Sequence, residues 1–332
     1  MTADMALVDF VPSSDPLLRA PSLAHTTVLP VLGITTRFET NSAYVLGVAT
    51  EAFGVWRALG TSVDGPRGAP EVRVRVVVHE GTEHVAGRAP VRHVCPDGAR
   101  ILVQSPGSVA VADPERGESV AYVTTTLAAD RPHFRAAVLE AITLALLAHR
   151  DRHPIHAAGV ARGGRAVLLA GPSGSGKSTL AYLAHSSGLD VLGDDRVWVQ
   201  REPALRVWGW PGQARLTADT VRHFPEVATV GTTSVVGGKE KLAVELGVTR
   251  ALDAARHAVV CLLARGPRVA LERLPRDAIV DALRHGVDPG FDRFPARHEA
   301  VARDLAGDGG WRLTLSDDPH DALPLLKAML GA

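Results

Sequence analysis

Gly171-Pro-Ser-Gly-Ser-Gly-Lys-Ser178 completes the pattern G-x-x-x-x-G-K-[ST], the Walker A phosphate-binding loop. Each residue type has a mechanical reason to be there. Gly171, Gly174 and Gly176 permit backbone angles that turn successive N–H groups toward a phosphate chain. Lys177 supplies a cation for the outer phosphates, and the Ser178 hydroxyl suits a magnesium ion. Pro172, Ser173, Ser175 and Thr179 complete the stretch expected to wrap the anion. The surroundings fit as well. Residues 165–170 (RAVLLA) form an apolar run of strand type, and residues 178–187 (STLAYLAHSS) have helical spacing with Gly188 as a stop signal. A strand, a glycine loop and a helix whose positive dipole end faces the loop are what anion binding requires.

Upstream, residues 155–162 read as a second strand, separated from 165–170 by Gly163-Gly164, a hairpin signal. If the two glycines form the turn, Arg162 faces Arg165 and His156 faces Gly171, beside the loop. His156 is therefore a candidate acid/base or phosphate-contacting group. An antiparallel partner immediately before the loop also departs from the parallel sheet of ordinary phosphate-loop kinases and predicts a mixed sheet.

Downstream, a short strand leads into Asp194-Asp195, and another follows at 197–200. Phosphoryl transfer to an alcohol needs a metal on the phosphate oxygens, a cation, and a carboxylate to take the hydroxyl proton. Adjacent side chains on a strand diverge, so the two acids should have different tasks. One faces the reacting hydroxyl; the other serves the metal or orders the loop.

These stretches, IHAAGV from 155, GPSGSGKST from 171 and GDDRV from 193, resemble the catalytic domain of the HPr kinase/phosphorylase family. The resemblance runs from about 153 to 199. It implies a phosphoenolpyruvate carboxykinase-like nucleotide-binding fold, ATP and Mg2+ as cofactors, His156, Lys177 and Asp195 in the active site, Asp195 as proton acceptor, and Ser178 as a magnesium ligand. Of the acid pair this leaves Asp194 as the candidate for the metal or for ordering the loop. The chain departs from that family at Thr179, where a Glu is usual, and around 208–216 (WGWPGQARL), where a Glu-x-Arg-Gly segment is usual. It is more similar to shorter, diverged relatives, among them peptide-tailoring kinases of lasso-peptide pathways. The expected activity is transfer of the γ-phosphoryl group of ATP to an alcohol, foremost a Ser/Thr hydroxyl of a peptide or protein. A small-molecule hydroxyl kinase and a non-catalytic nucleotide-binding module are the alternatives, and a motor ATPase is disfavoured because no Leu-Ser-Gly-Gly signature occurs.

Composition sets the outer limits. The 332 residues are 46% hydrophobic and 22% charged, with 36 basic residues against 36 acidic ones. That allows a large core and gives no reason to expect a nucleic-acid or membrane partner. Two distant cysteines, Cys95 and Cys261, make neither a disulfide framework nor a zinc site, which together with the lack of a signal-like N-terminus predicts a cytoplasmic protein. Homo-oligomerisation stays open.

The remaining chain reads as an N-terminal mixed α+β, mainly β domain over 1–128 and the nucleotide-binding domain over 129–332. In the first, Asn41 is expected to cap a helix reaching about residue 59, and strands are expected at 71–79, 99–104, 108–112 and 119–126. A helix over 131–150 carries an apolar stripe through Phe134, Val138, Ala141, Ile142 and Ala145. In the second, Arg215 is a candidate phosphate or substrate contact. Gly237-Gly238 opens a basic turn in which Lys239 or Lys241 could reach a terminal phosphate. Strands are expected at 258–264, 268–274 and 311–315, helices at 276–285, 296–305 and 322–330, and Phe291-Asp-Arg-Phe294 is a candidate cleft lining.

Overall fold

The Gly163-Gly164 hairpin forms with the register that the sequence predicts. Both glycines have positive φ (57° and 80°), as a tight two-residue turn between twisted strands requires. Arg162 pairs with Arg165, and the ladder runs to Ala158 opposite Leu169. The computed structural model describes residues 8–12, 21–61, 72–81, 87–96, 100–210, 212–236, 239–247, 254–285 and 295–331. The chain is a mixed α/β protein that divides between Arg150 and Asp151 into two compact units.

The first unit holds strands β1 (His25–Val31), β2 (Ile34–Thr40), β3 (Val72–His79), β4 (Arg92–Val94), β5 (Ile101–Ser105), β6 (Ser108–Asp113) and β7 (Glu118–Thr124). They form one sheet in the order β1-β2-β3-β7-β6-β5-β4. Its helices are α1 (Ala43–Phe53), α2 (Val55–Ala58), α3 (Thr125–Ala129), α4 (Arg131–Phe134) and α5 (Ala141–His149). Strand alternation buries Val72, Val74 and Val76 of β3 and Ala110 and Ala112 of β6. Helix α5 packs on β3 and β6, while α1 and α2, with Val45, Phe53 and Trp56 buried, pack on β1 and β2. Phe38 stacks on Phe53 with ring centroids 5.3 Å apart.

Three sequence expectations shift here. Ser42, and not Asn41, caps α1, its hydroxyl accepting from the Val45 N–H. Asn41 instead ties strands together: its Nδ2 donates to the carbonyls of Val11 and Val78, and its Oδ1 accepts from the Val78 N–H. The expected long helix over 131–150 is interrupted by a π-turn segment, Arg135–Glu140, which brings residues five apart onto one face. Arg135 Nε accordingly donates to Glu140 at 2.8 Å. Finally, this helical stretch falls on the N-terminal side of the division, where the sequence reading drew the boundary at 128/129. The reason is packing: α5 lies against β3, β5, β6 and β7.

The second unit begins with β8 (His153–Ile155), β9 (Ala158–Arg162), β10 (Arg165–Ala170), α6 (Lys177–Ser186), β11 (Asp190–Gly193), β12 (Val197–Gln200), β13 (Arg206–Trp208) and β14 (Gln213–Leu216). It continues through α7 (Val227–Val230), β15 (Thr232–Val236), β16 (Lys239–Glu245), β17 (Ala254–Ala255), β18 (His257–Arg265), β19 (Ala270–Leu274), α8 (Arg276–His285), α9 (Pro295–Ala306), β20 (Gly310–Leu315) and α10 (Leu323–Met329). The main sheet is mixed, in the order β11-β9-β10-β18-β20-β19, with β17-β13-β12-β8 and β14-β16-β15 as smaller sheets.

Within the main sheet β18 is parallel to β10 and β20 parallel to β18. β9 is antiparallel to both β10 and β11. Strands β11, β10, β18 and β20 therefore all end at one edge of the sheet. Helix α6 packs across one face, burying Leu180, Ala181 and Leu183 with Val160, Val167 and Leu169 of the sheet and Ala214, Leu216 and Val244 of the β14–β16 sheet. Each of these Leu and Val side chains contributes about 1.5–3 kcal/mol on burial. Cys261, fully buried in β18, has its thiol pushed up to about 12 by burial, as befits a small core residue.

Candidate active site

The glycine loop lies between β10 and α6 at that shared edge. Gly171, Gly174 and Gly176 all have positive φ (154°, 84° and 109°), the left-handed region that other residues avoid. At two of them space is also short: a Cβ on Gly171 would come 3.0 Å from Ser175 Oγ, and one on Gly176 would come 2.8 Å from Leu315 Cδ1. The Ser175 hydroxyl is buried and has no hydrogen-bond partner among the described residues. A buried polar atom left unpaired in a loop of this shape is satisfied by an incoming acceptor such as a phosphate oxygen. Lys177 opens α6 and is itself buried, its Nζ donating to the carbonyls of Gly171 at 2.7 Å and Pro172 at 3.2 Å. The ammonium is thus held over the loop. Pro172, Ser173, Ser178 and Thr179 occupy the loop and first helical turn as the motif predicts.

His156 arrives by a route different from the expected one. The sequence predicts a continuous strand over 155–162 with His156 beside Gly171. The structure breaks that strand at His156-Ala157: β8 joins the four-stranded sheet through β12, while β9 joins the main sheet. The neighbouring ribbon breaks at the same level, between β11 and β12. Val197 pairs with Ile155 on one side of the break and Gly193 pairs with Gly159 on the other. Residues 156–158 are therefore carried across opposite 194–196. That crossing brings His156 Nε2 to 3.2 Å from Asp195 Oδ1.

Close packing holds the crossing. A Cβ on Gly159 would come within 2.8 Å of Leu192 Cβ and 2.9 Å of Val197 Cγ1. A Cβ on Gly193 would come 2.6 Å from the Arg196 carbonyl, so the turn bearing the acids closes tightly on its glycine.

The two carboxylates differ as the sequence reading expects of adjacent acids. Asp194 is buried, accepts the backbone N–H of Arg215 at 2.7 Å and is hydrogen-bonded to the Ser178 hydroxyl. Burial pushes its carboxyl above the usual range, and the negative charge of Asp195 adds to the effect. Asp195 is half-exposed, and its carboxyl is drawn down to about 2, first by the hydrogen bond from His156 and then by the charges of His156, Arg196 and Lys177, while partial burial pushes the other way. The acid pair thus presents one carboxylate inward to the loop serine and one outward, ionised, beside an imidazole and within the field of the loop lysine.

The hard oxygen donors Ser178 and Asp194 fit a magnesium ion. Asp194 is held above its ordinary range by burial, a cost that a divalent cation relieves. Among the described residues no cluster of three His, Cys, Asp or Glu side chains forms a protein-only metal cage. Magnesium in phosphate-handling sites usually takes one or two protein oxygens with the remaining positions on phosphate and water.

The other expected contacts fall differently. Arg215 lies on β14 with an exposed side chain; its backbone N–H donates to Asp194, and its guanidinium charge also favours that carboxylate's ionised form. Lys239 and Lys241 lie on β16, opposite Val236 and Ser234, where the sequence reading placed a turn. Gly237-Gly238 and Phe291–Phe294 lie outside the described residues. Two arginines were not anticipated. Arg196 follows the acid pair and stacks over Trp198 at 5.9 Å. Arg265 ends β18 with Nη2 only 3.2 Å from where a Cβ on Gly176 would stand. Its signal was a cation closing the apolar run 258–264, legible only once β18 is known to adjoin β10.

No protein-family model and no curated protein matches the chain. Among solved structures, the Hpr(Ser) kinase/phosphatase from Coxiella burnetii is similar at 13% identity and a TM-score of 0.27, over 54% of this chain and 93% of that one. A likeness of that size assigns neither fold family nor function. No helix among the described residues is long and apolar enough to cross a membrane.

Proposed function

We propose that this chain is an ATP-dependent phosphotransferase that moves the γ-phosphoryl group to an alcohol, with a Ser or Thr hydroxyl of a peptide or protein as the foremost acceptor class. The observation that carries the reading is the division of labour between adjacent acids: Asp194 on the Ser178 hydroxyl, and Asp195 on His156.

Each residue has a task in that scheme. The loop N–H groups, Ser175 and Lys177 bind and orient the phosphates. Ser178 and Asp194 would hold magnesium, which supplies charge neutralisation on the phosphate oxygens. Asp195 aligns the acceptor hydroxyl. As the acceptor oxygen bonds to the γ-phosphorus, the bond from that phosphorus to the β-phosphate oxygen breaks. ADP leaves with the electron pair, and the hydroxyl proton passes to Asp195. A carboxylate drawn down to about 2 is a weak base. It takes the proton late, when the acceptor oxygen has already grown acidic through bonding to phosphorus, which suits a loose transition state. His156 keeps the carboxylate ionised and aimed.

The test is an ADP-release screen of the purified protein with Mg-ATP against hydroxyl-bearing peptides and free hydroxy compounds, with product mass measured. Gain of one phosphoryl group on an alcohol supports the reading. ATP binding without transfer to any acceptor favours a regulatory module, and failure to bind ATP sinks the proposal.

A further inference from the structure

The groups around the loop are arranged with a polarity. Asp195 and His156 stand on its β9–β11 side. On the opposite side is β18, which outruns β10. Ala170, the last residue of β10, pairs with Leu262, so Leu263, Ala264 and Arg265 continue alongside the loop. The Leu263 carbonyl lies 3.4 Å from a Cβ position on Gly171, and Arg265 Nη2 and Cζ lie 3.2 and 3.7 Å from one on Gly176. Arg265 is exposed, and its Nη1 donates to the Ser316 carbonyl at 3.4 Å, at the end of β20. The Gly266 N–H donates to the Leu315 carbonyl at 3.0 Å, which fastens the two strand ends together.

A triphosphate is a linear chain with the reacting phosphate at one end and the nucleoside at the other. If its terminal phosphate faces Asp195, its inner phosphates must run across the loop toward β18. Resting on the kinase reading above, we infer that Arg265 binds the inner phosphates and that the nucleoside lies over the carboxyl ends of β18 and β20, beside the turn at 316–318. The guanidinium offers several N–H donors in a fixed plane, which matches a phosphate better than a point charge does. It also adds positive charge on the β18 side of the loop.

The experiment compares Arg265→Ala, Arg265→Gln and Arg265→Lys with the wild-type full chain by titration calorimetry using Mg-ATP and Mg-ADP, with thermal unfolding as the control for folding. A lost charge-assisted hydrogen bond to phosphate should weaken both nucleotides by about tenfold or more, with Arg265→Lys intermediate. Weakening of ATP alone would place the contact on the terminal phosphate and overturn the inference, as would unchanged affinity for both. A wild-type protein that binds neither nucleotide would defeat the kinase reading itself, so the two failures are distinguishable.

Discussion

Asp195→Asn is the sharpest perturbation of the proposed chemistry. Asn keeps the shape of Asp and an oxygen that can accept from His156, but it cannot take a proton. General-base contributions span about 10²–10⁴-fold. A base at about 2 lies far below neutral pH and collects the proton only late in the transfer, so we expect a loss near the lower end, about a hundredfold in kcat. That is about 2.7 kcal/mol of transition-state stabilisation. The structural side effect should be small. The drop of Asp195 from 3.8 to about 2 corresponds nominally to about 2.5 kcal/mol. With 48% of the side chain exposed, solvent screening brings the pair's worth down to the order of 1 kcal/mol. Nucleotide affinity should hold, because the loop, Lys177 and Ser178 are untouched. The assay is ADP release with the best acceptor from the screen, paired with calorimetric titration of Mg-ATP. Turnover within threefold of wild type would remove Asp195 from the chemistry. A hundredfold loss of nucleotide affinity in parallel would make it a binding residue instead.

His156→Ala should return Asp195 toward 3.8. Because the folded-state value is depressed, the stability that Asp195 contributes is present above about 3.8 and is lost as pH falls through about 2. Urea midpoints should therefore show the wild type ahead by about 1 kcal/mol at pH 5, with the gap closing toward pH 2.5; a gap independent of pH in that range would contradict the linkage. Gly159→Ala forces a methyl group against Leu192 and Val197 where the two ribbons cross, and should cost about 1–3 kcal/mol in chemical denaturation and lower turnover with it. An unchanged denaturation midpoint would show that the crossing has room to give.

Much of the second unit was legible because its signals are local. A glycine pair between two apolar runs sets a turn, and the turn sets the register of β9 on β10. The helix over 276–285 and the strand over 165–170 stand where hydrophobic spacing puts them. In the first unit the β1–β2 hairpin escaped notice. Its turn residues, Leu32 and Gly33, both have positive φ, and a leucine gives no warning of a left-handed turn. Asn41 looked like a cap because Asn favours that position, yet long-range partners in Val11 and Val78 claimed its amide.

By itself the sequence determined the phosphate loop, the hairpin before it and the acid pair after it, since glycine freedom and hydrophobic period act over a few residues. Tertiary structure alone decided what those groups face. His156 meets Asp195 because two ribbons change sheets side by side, a pairing between segments about 40 residues apart that no local rule encodes. Arg265 reaches the loop because β18, remote in sequence, lies parallel to β10 and extends beyond it. Register between distant strands is set by the packing of the whole sheet, and the side chains that share an edge are fixed only then.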